Sequence, residues 1–80
     1  MTSKEEIKEW LISERAENCS HMLVVCDTFD YEDFPVYVKK DENIQTVIKS
    51  KESSFLRIME IYNLSMNIEK QLSERRAWNI

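Results

Sequence analysis

Residues 24–38, which read VVCDTFDYEDFPVYV, decide the fold of this chain. Two short segments of β-branched and aromatic residues flank a seven-residue link, 27–33, that holds four carboxylates. Such segments favour strands, so the pattern predicts an antiparallel hairpin with strands at 22–27 and 34–39. Pro35 can stand at the first position of the second strand, where no ladder amide is needed.

A first helix is predicted before the hairpin. Residues 3–6, SKEE, match a capping box, in which the Ser3 hydroxyl accepts from an early amide and Glu6 reaches back. Apolar residues then recur at helical spacing, namely Ile7, Trp10 and Leu11. Asn18 is expected to stop this helical part of the chain in a left-handed conformation.

Two further helices are predicted after the hairpin. Asp41 is the expected N-cap of the second helix, which ends near Lys51, and Ser65 is the expected N-cap of the last. The apolar faces consist of Ile44, Val47 and Ile48 in the second helix and of Ile68 and Leu72 in the last.

Residues 55–62 fit two kinds of structure. Their apolar residues have the spacing of a helical face, yet the segment FLRIMEIY also suits a strand that is apolar on both sides. We favour a strand, because aromatic and branched residues dominate the segment and because a third strand would stabilise the hairpin. The predicted fold is therefore α+β, a single domain over residues 1–80. Helices cover a small antiparallel sheet of about three strands, in the order αββαβα.

The length of 80 residues allows only a small hydrophobic core. Residues 1–6 are polar and do not resemble a secretory leader. We therefore expect a reduced, cytoplasmic protein in which Cys19 and Cys26 form no bridge. Association into a homo-oligomer is then the expected reinforcement of the small core.

Composition argues against several functional classes. The net charge is −4, from 11 basic and 15 acidic residues, which disfavours nonspecific nucleic-acid binding. No apolar run approaches the ~20 residues that a membrane span needs. Glycine is absent, which excludes P-loops and Rossmann fingerprints. No catalytic motif includes the lone His21, so we expect neither an enzyme nor a cofactor.

The acidic link is the main candidate site. A connection that only reverses the chain between two strands does not need four carboxylates and two aromatic residues. Three interpretations stay open. The link is an ordinary solvated loop, or a hard-cation site whose spacing resembles an EF-hand only loosely, or a surface that recognises a ligand or partner. We expect recognition and no metal. Carboxylates and Thr28 can accept from amino groups or from a partner's Arg, and Phe29 or Tyr31 can stack on a flat ring. Asp27, at the end of a strand, is the best single candidate.

Basic and apolar residues in the second half of the chain complete the prediction. Arg57 lies within an apolar run, where a guanidinium is costly unless it pairs with a loop carboxylate or a phosphate. The predicted ligand- or partner-binding residues are Asp27, Thr28, Phe29, Asp30, Tyr31, Asp33, Arg57, Arg75 and Arg76. The apolar tail is expected to dock either on its own core or on a neighbouring subunit, with Trp78 and Ile80 as the oligomer contacts.

Residues 24–38 resemble small uncharacterised proteins of phage and prophage genomes. Those proteins carry a similar valine-rich strand, a Cys-Asp-Thr-Phe-Asp run, an acidic step and a Tyr- or Phe-Pro-Val-Tyr-Val strand. Residues 57–65 (RIMEIYNLS), 68–72 (IEKQL) and 76–78 (RAW) also look similar. The resemblance implies a context and no residue roles: small phage proteins often counter bacterial defence by binding an immune protein or by sequestering a nucleotide signal.

Two non-enzymatic functions are therefore predicted. In the first, a homo-oligomer sequesters a small nucleotide signal, with Asp27, Thr28 and Tyr31 at the base and Arg57 with Arg75 or Arg76 at the phosphate. In the second, the acidic and aromatic loop inhibits a host defence protein by entering a basic groove. We expect the first, because an aromatic and carboxylate-rich link beside an apolar sheet suits a flat ligand with polar edges.

Overall fold

The computed structural model describes residues 3–52 and 55–80. The elements in chain order are α1 (Lys4–Ile12), β1 (Cys19–Asp27), β2 (Glu32–Lys39), α2 (Ile44–Lys51), β3 (Leu56–Asn63) and α3 (Ile68–Leu72), with a 3₁₀ turn (Glu14–Ala16) after α1. The strands form one antiparallel sheet in the order β2-β1-β3. The predicted α+β fold, with its order αββαβα, is confirmed.

The central strand β1 is buried on both faces of the sheet. Met22 and Val24 pack against α1 and α3 on one face, whereas Leu23 and Val25 pack with Ile48 of α2 on the other. All four β1 side chains are at most 2% exposed. A strand covered on both faces needs apolar residues at every position, which explains why residues 22–25 form a continuous apolar run.

Strand β3 resolves the ambiguity of residues 55–62 in favour of a strand. Its pairing with β1 shifts register: Val24 is opposite Glu60 and Val25 is opposite Ile58, so Met59 is an extra residue, as in a β-bulge. The bulge places Ile58 and Ile61 in the same cluster under α2, although they are three residues apart. Apolar residues of this segment therefore recur at a spacing typical of a helix, although the segment is a strand.

The structure corrects two helix caps. Asn43, not Asp41, caps α2: its Oδ1 accepts from the amides of Gln45 and Thr46, at 2.9 and 3.2 Å. Asn67 caps α3 in place of Ser65, by accepting from the amide of Lys70 at 2.8 Å. In each helix the capping side chain comes directly before the first helical residue, where it reaches the unpaired amides.

Other predicted boundaries also move. Helix α1 is capped by Ser3 as predicted, but it ends at Ile12, and Asn18 adopts its left-handed conformation (φ 61°) immediately before β1. Strand β2 begins at Glu32, so Pro35 is an internal residue of an edge strand and not its first residue. Edge strands tolerate Pro because one side of the strand has no ladder to complete.

The C-terminal tail packs on its own sheet. The amide of Ile61 donates to the Ala77 carbonyl at 2.9 Å, and the Asn79 amide donates to the Ile61 carbonyl at 3.1 Å. Ala77 is fully buried, whereas Trp78 and Ile80 are 41% and 51% exposed. The tail thus extends the sheet beside β3, and a role of Trp78 and Ile80 in an oligomer contact stays a prediction.

Both cysteines are free thiols, as predicted. Cys19 and Cys26 lie at the two ends of β1, and seven residues of extended chain span roughly 23 Å. A disulfide needs Cα atoms within about 7 Å of each other, so this geometry cannot form an internal bridge. Within the described residues, no helix is both long and apolar enough to cross a lipid bilayer.

The start of β1 is irregular. Ser20 is an extra residue in the pairing with β2, between Cys19 and His21. Neighbouring strand residues normally point to opposite faces, yet Ser20 Oγ and His21 Nδ1 share a hydrogen bond of 2.8 Å. The buried Nε2 atom of His21 has no hydrogen-bond partner within residues 3–52 and 55–80.

Acid is expected to destabilise the protein through His21. Burial lowers the pKa of His21 below its ordinary value of 6.5. The unfolded chain therefore binds the imidazole proton of His21 more tightly than the folded protein does. The stability gained from a neutral His21 is present above the unfolded-state pKa and is lost as the pH falls towards the folded-state pKa. Urea denaturation should show a larger loss of unfolding free energy from about pH 7.5 to about pH 5 in wild type than in His21→Asn. Parallel pH profiles would contradict this.

Candidate functional site

The hairpin tip is shorter than the sequence predicts, and its acids shape the turn. The link between β1 and β2 is residues 28–31, because Asp27 ends β1 and Glu32 begins β2. Asp27 Oδ1 accepts from the Phe29 amide at 2.9 Å, and Asp30 Oδ1 accepts from the Glu32 amide at 3.1 Å. Both carboxylates thus act as turn-forming side chains.

The tip is tied to the start of β3. The amide of Thr28 and its hydroxyl both donate to the Phe55 carbonyl, at 2.8 and 3.0 Å. This contact brings Phe55 beside the hairpin, where Phe29, Tyr31 and Phe55 are 83%, 77% and 61% exposed. We call these three residues the aromatic tip. The sequence prediction missed Phe55, because the bulge in β3 hides the register that places it there.

Phe29 and Tyr31 lie in a stretch of the chain whose charged residues are all acidic. Residues 24–38 contain four carboxylates and no Lys or Arg. Asp33, in β2, is opposite Cys26 of β1. Burial raises the pKa of the Cys26 thiol, and the hydrogen bond and charge of Asp33 act in the same direction. A thiol that stays protonated is a poor nucleophile, so Cys26 does not provide a reactive group at this end of the sheet.

Arg57 is exposed, although its neighbours in the sequence are apolar. Its position in β3 is opposite Cys26, and its side chain is exposed to water. The apolar run therefore does not bury the guanidinium, and the predicted pairing with a loop carboxylate is not found among the described residues. Because water already solvates this charge, its placement carries no burial cost.

Arg75 and Arg76 line a groove of about 350 Å³ beside the N-terminus of α1. We call it the charged groove. Its apolar part is Ile7, Val24 and Met59, and its charged part is Lys4, Asp33, Glu60, Arg75 and Arg76. Three predicted site residues therefore meet here, namely Asp33, Arg75 and Arg76.

The cations of the charged groove differ in whether other groups of the protein already contact them. Arg76 Nε donates to the Met59 carbonyl at 2.9 Å, and its guanidinium lies 4.4 Å from the centre of the Trp78 ring. Arg75 is exposed and forms no ion pair or side-chain hydrogen bond within residues 3–52 and 55–80. Arg75 is thus the cation in this groove that is available to a ligand.

Glu60 organises the floor of the groove, and the sequence prediction missed it. Its carboxylate accepts from Lys4 Nζ at 3.1 Å, from the Tyr62 hydroxyl at 3.0 Å and from the Ala77 amide at 3.0 Å. Burial, together with the negative charge of Glu60, raises the pKa of Tyr62. This network joins α1, β3 and the tail, so its role is structural.

No metal site is found in the part of the chain that the structure describes. No group of three or more His, Cys, Asp or Glu side chains is placed there to hold a metal ion. The link carboxylates that the sequence suggested as a loose cation site are divided between turn hydrogen bonds and β2.

In comparisons with protein-family models, curated proteins and solved structures, nothing matches this chain. The resemblance of residues 24–38 to phage and prophage proteins stays a prediction.

Replacing Tyr31 by Gly should stabilise the protein. Tyr31 has φ 59°, a left-handed conformation that favours glycine, and its ring is largely exposed. Tyr31→Gly should raise the unfolding free energy by roughly 0.5–1 kcal/mol, because the strain of the side chain is relieved. Phe29→Gly is the matched control, since Phe29 is not among the positive-φ residues and should lose stability. Equal changes in the unfolding free energy of the two variants, measured by urea denaturation, would contradict backbone strain at Tyr31.

Proposed function

We propose that the protein is a non-enzymatic binding protein that inhibits a host protein through the aromatic tip. The observation that carries this proposal is the exposure of Phe29, Tyr31 and Phe55, at 83%, 77% and 61%, at the same end of the sheet. Exposed aromatic side chains are the typical energetic centres of protein interfaces. Three exposed aromatic residues at one end of the sheet can enter a groove on a partner.

The charge around the aromatic tip indicates the kind of partner. Four carboxylates, Asp27, Asp30, Glu32 and Asp33, are close in sequence to Phe29 and Tyr31, and they outnumber the exposed cation Arg57, which follows Phe55 by two residues. A basic groove complements this surface and increases the rate of association. The partner we propose is therefore a protein with a positively charged groove.

The hydrogen bonds of the tip favour a protein partner over a nucleotide base. The sequence prediction assigned Asp27 and Thr28 to the edge of a base. Asp27 Oδ1 already accepts from the Phe29 amide, and the Thr28 hydroxyl already donates to the Phe55 carbonyl. Groups that hold the turn together are less available to a ligand, whereas the Phe29 and Tyr31 side chains are 83% and 77% exposed and can contact a partner.

The resemblance to phage and prophage proteins supports a bacterial defence protein as the partner. A phage protein of this kind acts in the host cytoplasm, where a small acidic inhibitor can reach a nucleic-acid-binding groove of an immune protein. A homo-oligomer would present several copies of the aromatic tip and would increase avidity.

Capture from a bacterial lysate, followed by titration, tests the proposed function. The tip variant combines Phe29→Ser, Tyr31→Gly and Phe55→Ser. The control variant combines Ile12→Ser and Met66→Ser, which remove exposed apolar side chains elsewhere. Wild type and control should capture a protein that the tip variant loses. With that protein purified, the tip variant should bind at least about tenfold more weakly, as expected for aromatic interface centres.

Salt dependence and the capture pattern decide the outcome. Raised salt should weaken the binding of wild type, because the contact pairs carboxylates with a basic surface. If the three proteins capture the same set of partners, or if none captures a partner, the aromatic tip is not the working surface.

Sequestration of a small nucleotide signal is the second candidate function, and the charged groove is the observation in its favour. The groove combines the apolar side chains of Ile7, Val24 and Met59 with the cation Arg75 and the carboxylate of Asp33. A phosphate would pair with Arg75, and Asp33 would accept from an amino group of the base. Its volume of about 350 Å³ is at the small end for ligand sites.

Calorimetric titration with mononucleotides and cyclic dinucleotides tests this second function. Arg75→Ala should lower the affinity about tenfold, since a charge-assisted contact to phosphate is lost. Lys49→Ala, in α2 on the other face of the sheet, is the matched control and should leave the affinity unchanged. No heat of binding for any nucleotide, or equal effects of the two variants, would exclude sequestration by this groove.

A further inference from the structure

A second cavity lies at the opposite end of the sheet from the aromatic tip. It has a volume of about 500 Å³ and lies between α1, the start of β1 and the segment that joins β3 to α3. We call it the polar cavity. A neighbouring cavity of about 620 Å³ shares three of its residues, Asn18, Cys19 and Lys40, and is lined in addition by the acids Glu17 and Asp41. The volume of the polar cavity is within the range of small-molecule sites.

The backbone around the polar cavity is irregular at two places. Asn18 is left-handed (φ 61°), and Ser20 is an extra residue in the pairing of β1 with β2. The extra residue brings Ser20 Oγ and His21 Nδ1 together at 2.8 Å, and both residues line the cavity. Bulges of this kind commonly re-aim side chains next to functional sites.

Lys40 is the one permanently charged side chain among the described residues that line the polar cavity. Among the described residues that line it, none is an Asp or Glu, although the chain has 15 acidic residues. Lys40 forms no ion pair or side-chain hydrogen bond within residues 3–52 and 55–80. Asn63 Oδ1 accepts from the amide and the hydroxyl of Ser65, at 3.0 and 2.6 Å, which leaves the Asn63 amide nitrogen as a further donor.

The remaining wall is apolar. Leu11 of α1, Leu64 after β3 and Ile68 of α3 contribute aliphatic side chains to the cavity. A ligand that fits both parts has an apolar body against these residues and one anionic head near Lys40 and Asn63. A free inorganic anion would leave the apolar wall unused, and a neutral hydrocarbon would leave the donors unpaired.

We propose that the polar cavity binds a small molecule with an apolar body and one anionic oxygen group, a carboxylate or a phosphate monoester. Lys40 pairs with the anionic head and the Asn63 amide donates to it. Leu11, Leu64 and Ile68 hold the apolar body. This site is independent of the aromatic tip, so the failure of either proposal leaves the other standing.

Four probes in a ¹H–¹⁵N NMR titration test the proposal. Hexanoate and hexyl phosphate carry both required parts, hexanol lacks the charge, and inorganic phosphate lacks the apolar body. Hexanoate, hexyl phosphate or both should shift the amides of Ser20, His21, Asn63 and Leu64 in a saturable way. Hexanol and inorganic phosphate should bind at least about tenfold more weakly. The stronger of the first two probes identifies the preferred head group.

Two matched variants check the role of Lys40. Lys40→Gln should weaken the binding of the stronger probe about fivefold, whereas Lys49→Gln, an exposed cation on α2, should leave it unchanged. The proposal is overturned if neither hexanoate nor hexyl phosphate binds at millimolar concentration. It is also overturned if hexanol binds as well as hexanoate, if the shifts occur at the aromatic tip, or if the two variants behave alike.

Discussion

Burial of β1 on both faces is the constraint on which the rest of this structure depends. Leu23 and Val25 can leave water only if α2 covers one face, and Met22 and Val24 only if α1 and α3 cover the other. An 80-residue chain has little other apolar surface to bury. Loss of either helical layer would therefore expose half of the central strand, and the sheet could not persist as a single layer in water.

Two register shifts in the sheet determine which side chains lie together at each of its ends. The extra residue Met59 in β3 sets the pairing at the tip end, and with it the contact between Thr28 and Phe55. The extra residue Ser20 in β1 shapes the opposite end, where it turns its hydroxyl towards His21. Each shift interrupts a regular ladder, which is how a small sheet without glycine gains side-chain placements that strict alternation forbids.

The hairpin tip shows how one set of residues serves both fold and surface. The Asp27 and Asp30 carboxylates shape the turn by accepting from the amides of Phe29 and Glu32, and Tyr31 completes it in a left-handed conformation. The carboxylates that look most like ligand-binding groups in the sequence thus have local structural roles. The aromatic side chains have no comparable role in the turn, and they remain largely in water.

The sequence by itself determined the fold class, because apolar periodicity and strand-forming residues are local properties. The hairpin, the third strand, the three helices and the free thiols all follow from it. Helix caps and strand ends were displaced by a few residues, since several polar side chains near each end can accept from the same amides. Three placements depend on the tertiary structure: Phe55 at the end of the hairpin, Arg57 in water, and Asp33 in one groove with Arg75. These placements depend on register between distant segments, and one extra residue in a strand changes every partner beyond it.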